Sequence, residues 1–137
     1  MIELVYARTS DLIQSAGTTC FVGDPPENIP PPYAFVWGPV PTEYALTPAG
    51  VDEQVDLEFH VQVVAKEAAS VLLLAGALKL LLRGAVLPVE GWRVFPLRVT
   101  GSTDVQTARG VVEPATDLYP AWSTLHLRLQ ATKENCP

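Results

Sequence analysis

Two segments of the chain alternate apolar and polar residues with period two. In the first, Val55, Leu57, Phe59, Val61 and Val63 are interleaved with Gln54, Asp56, Glu58, His60 and Gln62. In the second, Leu125, Leu127 and Leu129 are interleaved with Thr124, His126, Arg128 and Gln130. Side chains alternate faces along a strand, so this pattern predicts long strands over Gln54–Ala65 and Ala121–Thr132, each with one buried face. If the two are neighbours, Asp56 and Glu58 on one meet Arg128 and His126 on the other, which favours the pairing by a fraction of a kcal/mol per pair, about 0.2–1. Tyr33–Trp37 is a shorter strand closed by Gly38-Pro39, and Thr18–Val22 is short and β-prone. Trp92–Thr100 reads as one strand with Arg93, Phe95, Leu97 and Val99 on one side. Pro96 has no N–H to give, which places this strand at an edge or puts a bulge in it.

Two further segments have helical spacing. Ile2, Val5, Leu12, Ile13 and Ala16 mark a first helix stopped by Gly17. Lys66–Arg83 is a second, ended by Gly84, with Lys79 and Arg83 near its negative end. At 100° per residue, Val71, Leu74, Leu78, Leu81 and Leu82 form one broad arc suited to a sheet. Leu73 and Leu80 fall well off that arc, and Leu72 sits on a third side beside Lys79 and Arg83. A surface helix is normally polar opposite its core stripe, and this one has almost no polar face. Either the first helix and the proline-rich loop cover it within the subunit, or another chain does. An uncovered leucine forgoes about 1.5–3 kcal/mol of burial, and a contiguous bare patch invites association.

The order helix, strand, strand, strand, helix, strand, strand predicts an α+β domain: a mostly antiparallel sheet with helices packed on one face. With 137 residues, no internal repeat and no linker, residues 1–137 form a single domain. Two long loops interrupt it, about 38–53 and 101–120, the second with a short strand at Val111-Val112, and a loose tail follows over 133–137. The loops carry Tyr44, Leu46, Val51, Val105, Val111, Val112, Leu118 and Tyr119, an apolar content suited to folding against partners. The expected partner-facing set is therefore Leu72, Leu73, Leu80, Tyr44, Leu46, Val111, Val112 and Tyr119.

Composition narrows the function. The chain is 48% hydrophobic and 18% charged, which is the profile of a folded protein, and its net charge of −6 disfavours nucleic-acid and anionic-membrane binding. The N-terminus has no basic region followed by a long apolar stretch, and Val71–Leu82 is well short of the roughly 20 residues that span a bilayer. A protein made in the cytoplasm and remaining in solution is expected. Cys20 and Cys136 form no metal-binding cluster; they are two free thiols or a disulfide pair. A catalytic reading starts from Asp56, Glu58 and His60, which line up on one strand face and could serve acid–base work or a weak metal site. The plainer reading is the solvent face of an amphipathic strand. No GxSxG, P-loop, GxGxxG or calcium-loop pattern is present, and neither a cofactor nor a metal is expected.

The layout resembles a known family. An N-terminal helix leads through a proline-marked loop into Tyr33-Ala34-Phe35-Val36-Trp37. The long strand Val55–Val64 runs directly into one amphipathic helix, a strand ends at a loop with Thr103-Asp104, and Trp122–Ala131 closes the chain. This arrangement resembles the tail terminator proteins of long-tailed bacteriophages and, more loosely, the head–tail connector subunits, over Ile2 to about Lys133. The likeness is one of order and pattern; the family has no diagnostic short motif. It implies an α+β fold and a structural, non-enzymatic role. It also implies a homohexameric ring on the last ring of tail-tube protein, which stops tube growth and offers a surface to the head-side connector. The implied location is the head-proximal end of the phage tail in the virion, with DNA passing through without specific binding. An acidic wall suits such a ring, because negative charge repels phosphate, and Asp56 and Glu58 are candidates to face the channel.

Overall fold

A computed structural model describes residues 2–26, 29–39, 54–107 and 120–133. The elements are α1 (Ile2–Ser15), β1 (Cys20–Val22), β2 (Tyr33–Trp37), β3 (Gln54–Ala65), α2 (Ala68–Leu82), β4 (Trp92–Val94), β5 (Arg98–Ser102), β6 (Gln106–Thr107) and β7 (Ala121–Lys133). The fold class is the expected α+β, with a mixed, mostly antiparallel sheet.

The alternating strands are neighbours. β3 and β7 pair antiparallel along their full length, from Gln54 opposite Thr132 to Ala65 opposite Ala121. Beyond β3 the order continues to β2, antiparallel, and then to β1, which is parallel to β2. The other edge of β7 is taken in succession by β4, β5 and β6, all antiparallel. The period-two residues do what their spacing predicts: Val55, Leu57, Phe59, Val61 and Val63 of β3 and Leu125, Leu127 and Leu129 of β7 are all buried. Both helices pack on that face. Val5, Tyr6 and Ile13 of α1 and Leu78 and Leu82 of α2 share one apolar cluster with these strand residues.

The first helix keeps Val5 and Ile13 of its aliphatic stripe in the core, with Leu12 packed against it, and adds polar positions to that face. Val5, Tyr6, Thr9, Ser10 and Ile13 are buried, whereas Ala16 is exposed. Small hydroxyls can sit at such positions because they bond locally: Thr9 Oγ1 donates to the Val5 carbonyl at 2.8 Å. Tyr6 reaches furthest. Its ring lies 5.7 Å from that of Phe59, and its hydroxyl donates to the Pro39 carbonyl at 2.8 Å. The approach is possible because residue 38 is glycine; a Cβ there would collide with the Tyr6 ring and hydroxyl and with Phe59.

The expected single strand Trp92–Thr100 is instead two, and its residues do not share a face. Leu97 is buried while Phe95 is exposed. Pro96 interrupts the ladder, as an imino acid must. Phe95 N still donates to Gln130 O at 2.9 Å, but Leu97 N turns to Ala85 O at 2.8 Å, and Gly84 N donates back to Leu97 O at 2.8 Å. The break thereby fastens the end of α2 to the start of β5. Gly84 (φ +77°) is in the left-handed region that ends helices.

The segment from 101 is also more ordered than a loop. β5 runs to Ser102, β6 covers Gln106–Thr107, and Val105 between them packs against the small cluster of Ala65, Val71 and Ala121 within the subunit. Thr103 joins this turn to β7: its carbonyl accepts from Ser123 Oγ and its hydroxyl accepts from Thr124 N, both at 2.9 Å. At the other end, β7 includes Lys133, the first residue of the expected tail.

Candidate assembly surfaces

α2 begins without a side-chain cap and carries one charged residue, Lys79, along its 15 positions. Its helical period sends Val71, Leu78 and Leu82 into the core, with Leu74 and Leu81 half-buried beside them. The outward side is apolar too. Leu72 is 64% exposed, and Leu73 and Leu80 are each 77% exposed. Ala69, Gly76 and Ala77 are exposed between them, and nothing lies within 4 Å of where a Gly76 Cβ would be. The result is an uncovered strip with leucines toward its ends and a flat centre. Neither α1 nor any other described element covers it. Of the remaining expected partner-facing residues, Tyr44, Leu46, Val111, Val112 and Tyr119 lie outside the described residues. So does Cys136; Cys20 is buried, and burial raises its thiol pKa.

The second surface is the sheet face opposite the helices. The polar halves of β3 and β7 meet there in register, Glu58 opposite Arg128 and His60 opposite His126. Arg128 grips Asp56 with two parallel bonds, Nε to Oδ1 at 2.9 Å and Nη2 to Oδ2 at 2.6 Å. These bonds, with the more distant Arg98, hold the Asp56 carboxyl below its usual range. His60 Nδ1 and His126 Nδ1 are 2.9 Å apart, so one ring donates and the other accepts. Burial first, and then the neighbouring His126, lower the His60 pKa, despite an opposing pull from Glu58.

The expected row Asp56, Glu58 and His60 is therefore present as a row, but its members have different partners. Asp56 is engaged by an arginine and His60 by a second imidazole. Among the described residues no group of three or more His, Cys, Asp or Glu side chains is placed to hold a metal ion. As an acidic ridge the row is also offset, since Arg128 and Arg98 stand beside the two carboxylates.

Sequence reasoning missed what continues from His60. Rings follow one another across the open face: Phe21 to Tyr33 (6.4 Å between centroids), Tyr33 to Phe35 (6.5 Å), Phe35 to Trp37 (5.2 Å), Trp37 to His60 (5.2 Å) and His60 to His126 (5.0 Å). The alternation in Tyr33-Ala34-Phe35-Val36-Trp37 carried half the signal, because it puts the three aromatics on one face. The other half needed the antiparallel register of β2 on β3, which sets Trp37 opposite His60.

No protein-family model matches the chain, and no curated protein sequence matches it significantly. Solved structures do match in fold. One is a chain of the structure described as the virion of a native gene transfer agent particle. It has a TM-score of 0.59 at 21% identity, over 88% of this chain and 84% of that one. A second solved structure, whose name carries no functional description, has a TM-score of 0.54 at 19% identity, over 100% of this chain and 98% of that one. At these identities the likeness establishes a shared fold.

Proposed function

We propose that this chain is a structural protein of a phage-like virion, a tail terminator that closes with copies of itself into a hexameric ring at the head-proximal end of the tail. The ring caps the tail-tube protein, stops its growth and presents a surface to the head-side connector. It works by assembly and carries no catalysis. One observation carries the reading: the outer face of α2, with Leu72, Leu73 and Leu80 uncovered, in a helix whose opposite face already fills the core. Ring contacts are head-to-tail, so such a patch meets a different surface on the next copy and closes without being self-complementary. The fold shared with a chain of a gene transfer agent virion supports a virion role. The net charge of −6 suits a ring through which DNA passes without being held.

Native mass spectrometry at high protein concentration, alone and with purified tail tubes, tests this. The expected result is a closed ring in one of the two conditions, lost in Leu73→Asp and Leu80→Asp. A wild-type chain that remains monomeric in both conditions rules the reading out. Electron microscopy of the labelled protein on tails separates a terminator, seated on the tube, from a connector or neck subunit, seated on the head side.

A further inference from the structure

Three of the nine Lys and Arg residues of this acidic chain, Arg83, Arg98 and Arg128, line one cleft of about 560 Å³. The cleft lies where the break before β5 meets the end of α2, and its apolar wall is Phe95, Pro96, Leu97 and Val99. The two Gly84–Leu97 and Leu97–Ala85 backbone bonds hold that corner together. Arg93 is not one of the lining residues, but its guanidinium lies 5.7 Å from the centre of the Phe95 ring, and Phe95 itself is 42% exposed. Among the described residues neither Arg83 nor Arg98 makes an ion pair, and both are exposed.

We propose that this cleft is a carboxylate-binding site that docks an acidic segment of another protein chain. The nearest acid, Asp56, shows the geometry on offer, since Arg128 already holds a carboxylate in the bidentate manner that guanidinium favours. That bond uses Nε and Nη2 of Arg128 and neutralises one of the three cations. Glu58, opposite Arg128 in the ladder, is not one of the lining residues. Arg83 follows the last turn of α2 and spends part of its charge on the helix's negative end. Arg98, on β5, makes no ion pair among the described residues and acts on Asp56 only as the weakest of the causes that lower its pKa, so it is the strongest contact left for a ligand.

A protein carboxylate fits better than a nucleic-acid phosphate for two reasons. The chain as a whole is negative and repels a long polyanion, whereas a short segment feels mainly the local arginines at physiological salt. The cleft is also a local, half-open depression with an apolar wall, of a size for a few side chains and not for a continuous backbone track. The site stands on this geometry and does not depend on ring formation.

The test uses the full chain and a fluorescein-labelled peptide of alternating Glu and Ser, read by anisotropy at low and physiological salt. Controls are the same peptide with Gln for Glu and a single-stranded oligonucleotide of equal charge. The acidic peptide is expected to bind, to weaken with salt, and to lose about fivefold to tenfold in affinity in Arg98→Ser. Arg83→Ser should lose less, and Arg98→Lys should recover part of the loss. Circular dichroism confirms that each variant folds. The proposal is overturned by an acidic peptide that does not bind, by unchanged affinity in both Ser variants, or by an oligonucleotide that binds as tightly as the peptide.

Discussion

Asp56 and Arg128 make the shortest charged contact on the open face, yet both side chains are partly in water, at 40% and 36% exposure. Pairs of that kind contribute about 0.2–1 kcal/mol. Arg128→Ala should therefore lower unfolding free energy in urea by less than about 1 kcal/mol, while the neighbouring core change Leu127→Ala should cost about 2–5 kcal/mol. The His60–His126 contact gives a pH dependence whose sign follows from burial. His60 binds its proton less readily folded than unfolded. Its contribution is therefore intact above the ordinary histidine range and is lost as pH falls from that range toward its lowered value. Thermal melts should show stability falling from pH 7.5 to pH 5.5, and His60→Phe should flatten that slope; an equal slope in the variant would mean that other groups set it.

At the scale of elements, a tight crossing helps fasten α1 to the sheet, alongside the bond from Gln14 Nε2 to the Cys20 carbonyl of β1. Tyr6 passes over Gly38, stacks near Phe59 and bonds to Pro39. Gly38→Ala forces the tyrosine or the strand end to move and should cost about 1–3 kcal/mol, as overpacking does. Tyr6→Phe removes only the hydroxyl bond and should cost about 0.5–1.5 kcal/mol. Chemical denaturation of both variants checks the order, with the glycine change the larger. α2 behaves in the opposite way. Its exposed leucines support no core, so Leu73→Ser and Leu80→Ser should leave the unfolding free energy of the isolated subunit within about 0.5 kcal/mol of wild type. The same changes should reduce self-association, and sedimentation velocity distinguishes the two effects.

For the whole molecule, the two faces of the sheet divide the work. One is closed by both helices into the core, and the other carries a row of rings and the Asp56–Arg128 pair, with no described element packed over it. Among the described residues three outward features are candidates for partner contact: the leucine strip on α2, the aromatic row and the arginine cleft. A ring subunit needs at least two different surfaces, one for each neighbour. If the leucine strip is one of them, particles of wild-type protein should dissociate in low denaturant before the subunit unfolds, with separate transitions by light scattering and by circular dichroism. Coincident transitions would show that subunit folding and association are inseparable.

Much of this architecture was legible from local pattern. Backbone geometry sends alternate strand residues to opposite faces, so Val55 to Val63 and Leu125 to Leu129 announced both strands and their buried side before any pairing was known. The 3.6-residue period of α2 likewise exposed its surplus of leucines. Pro96 marked an edge or a bulge within one strand, but the split into two strands was not legible, because the turn of Leu97 toward Ala85 depends on where α2 ends in space. Contacts between distant parts of the chain lay beyond such reading. His60 meets His126 across 66 positions, and Arg83 shares a cleft with Arg98 and Arg128 only after three elements have packed. Residue order fixes which face a side chain takes along its own strand or helix. Which distant side chain it then faces is decided by register, and register is settled when the whole apolar face is buried at once.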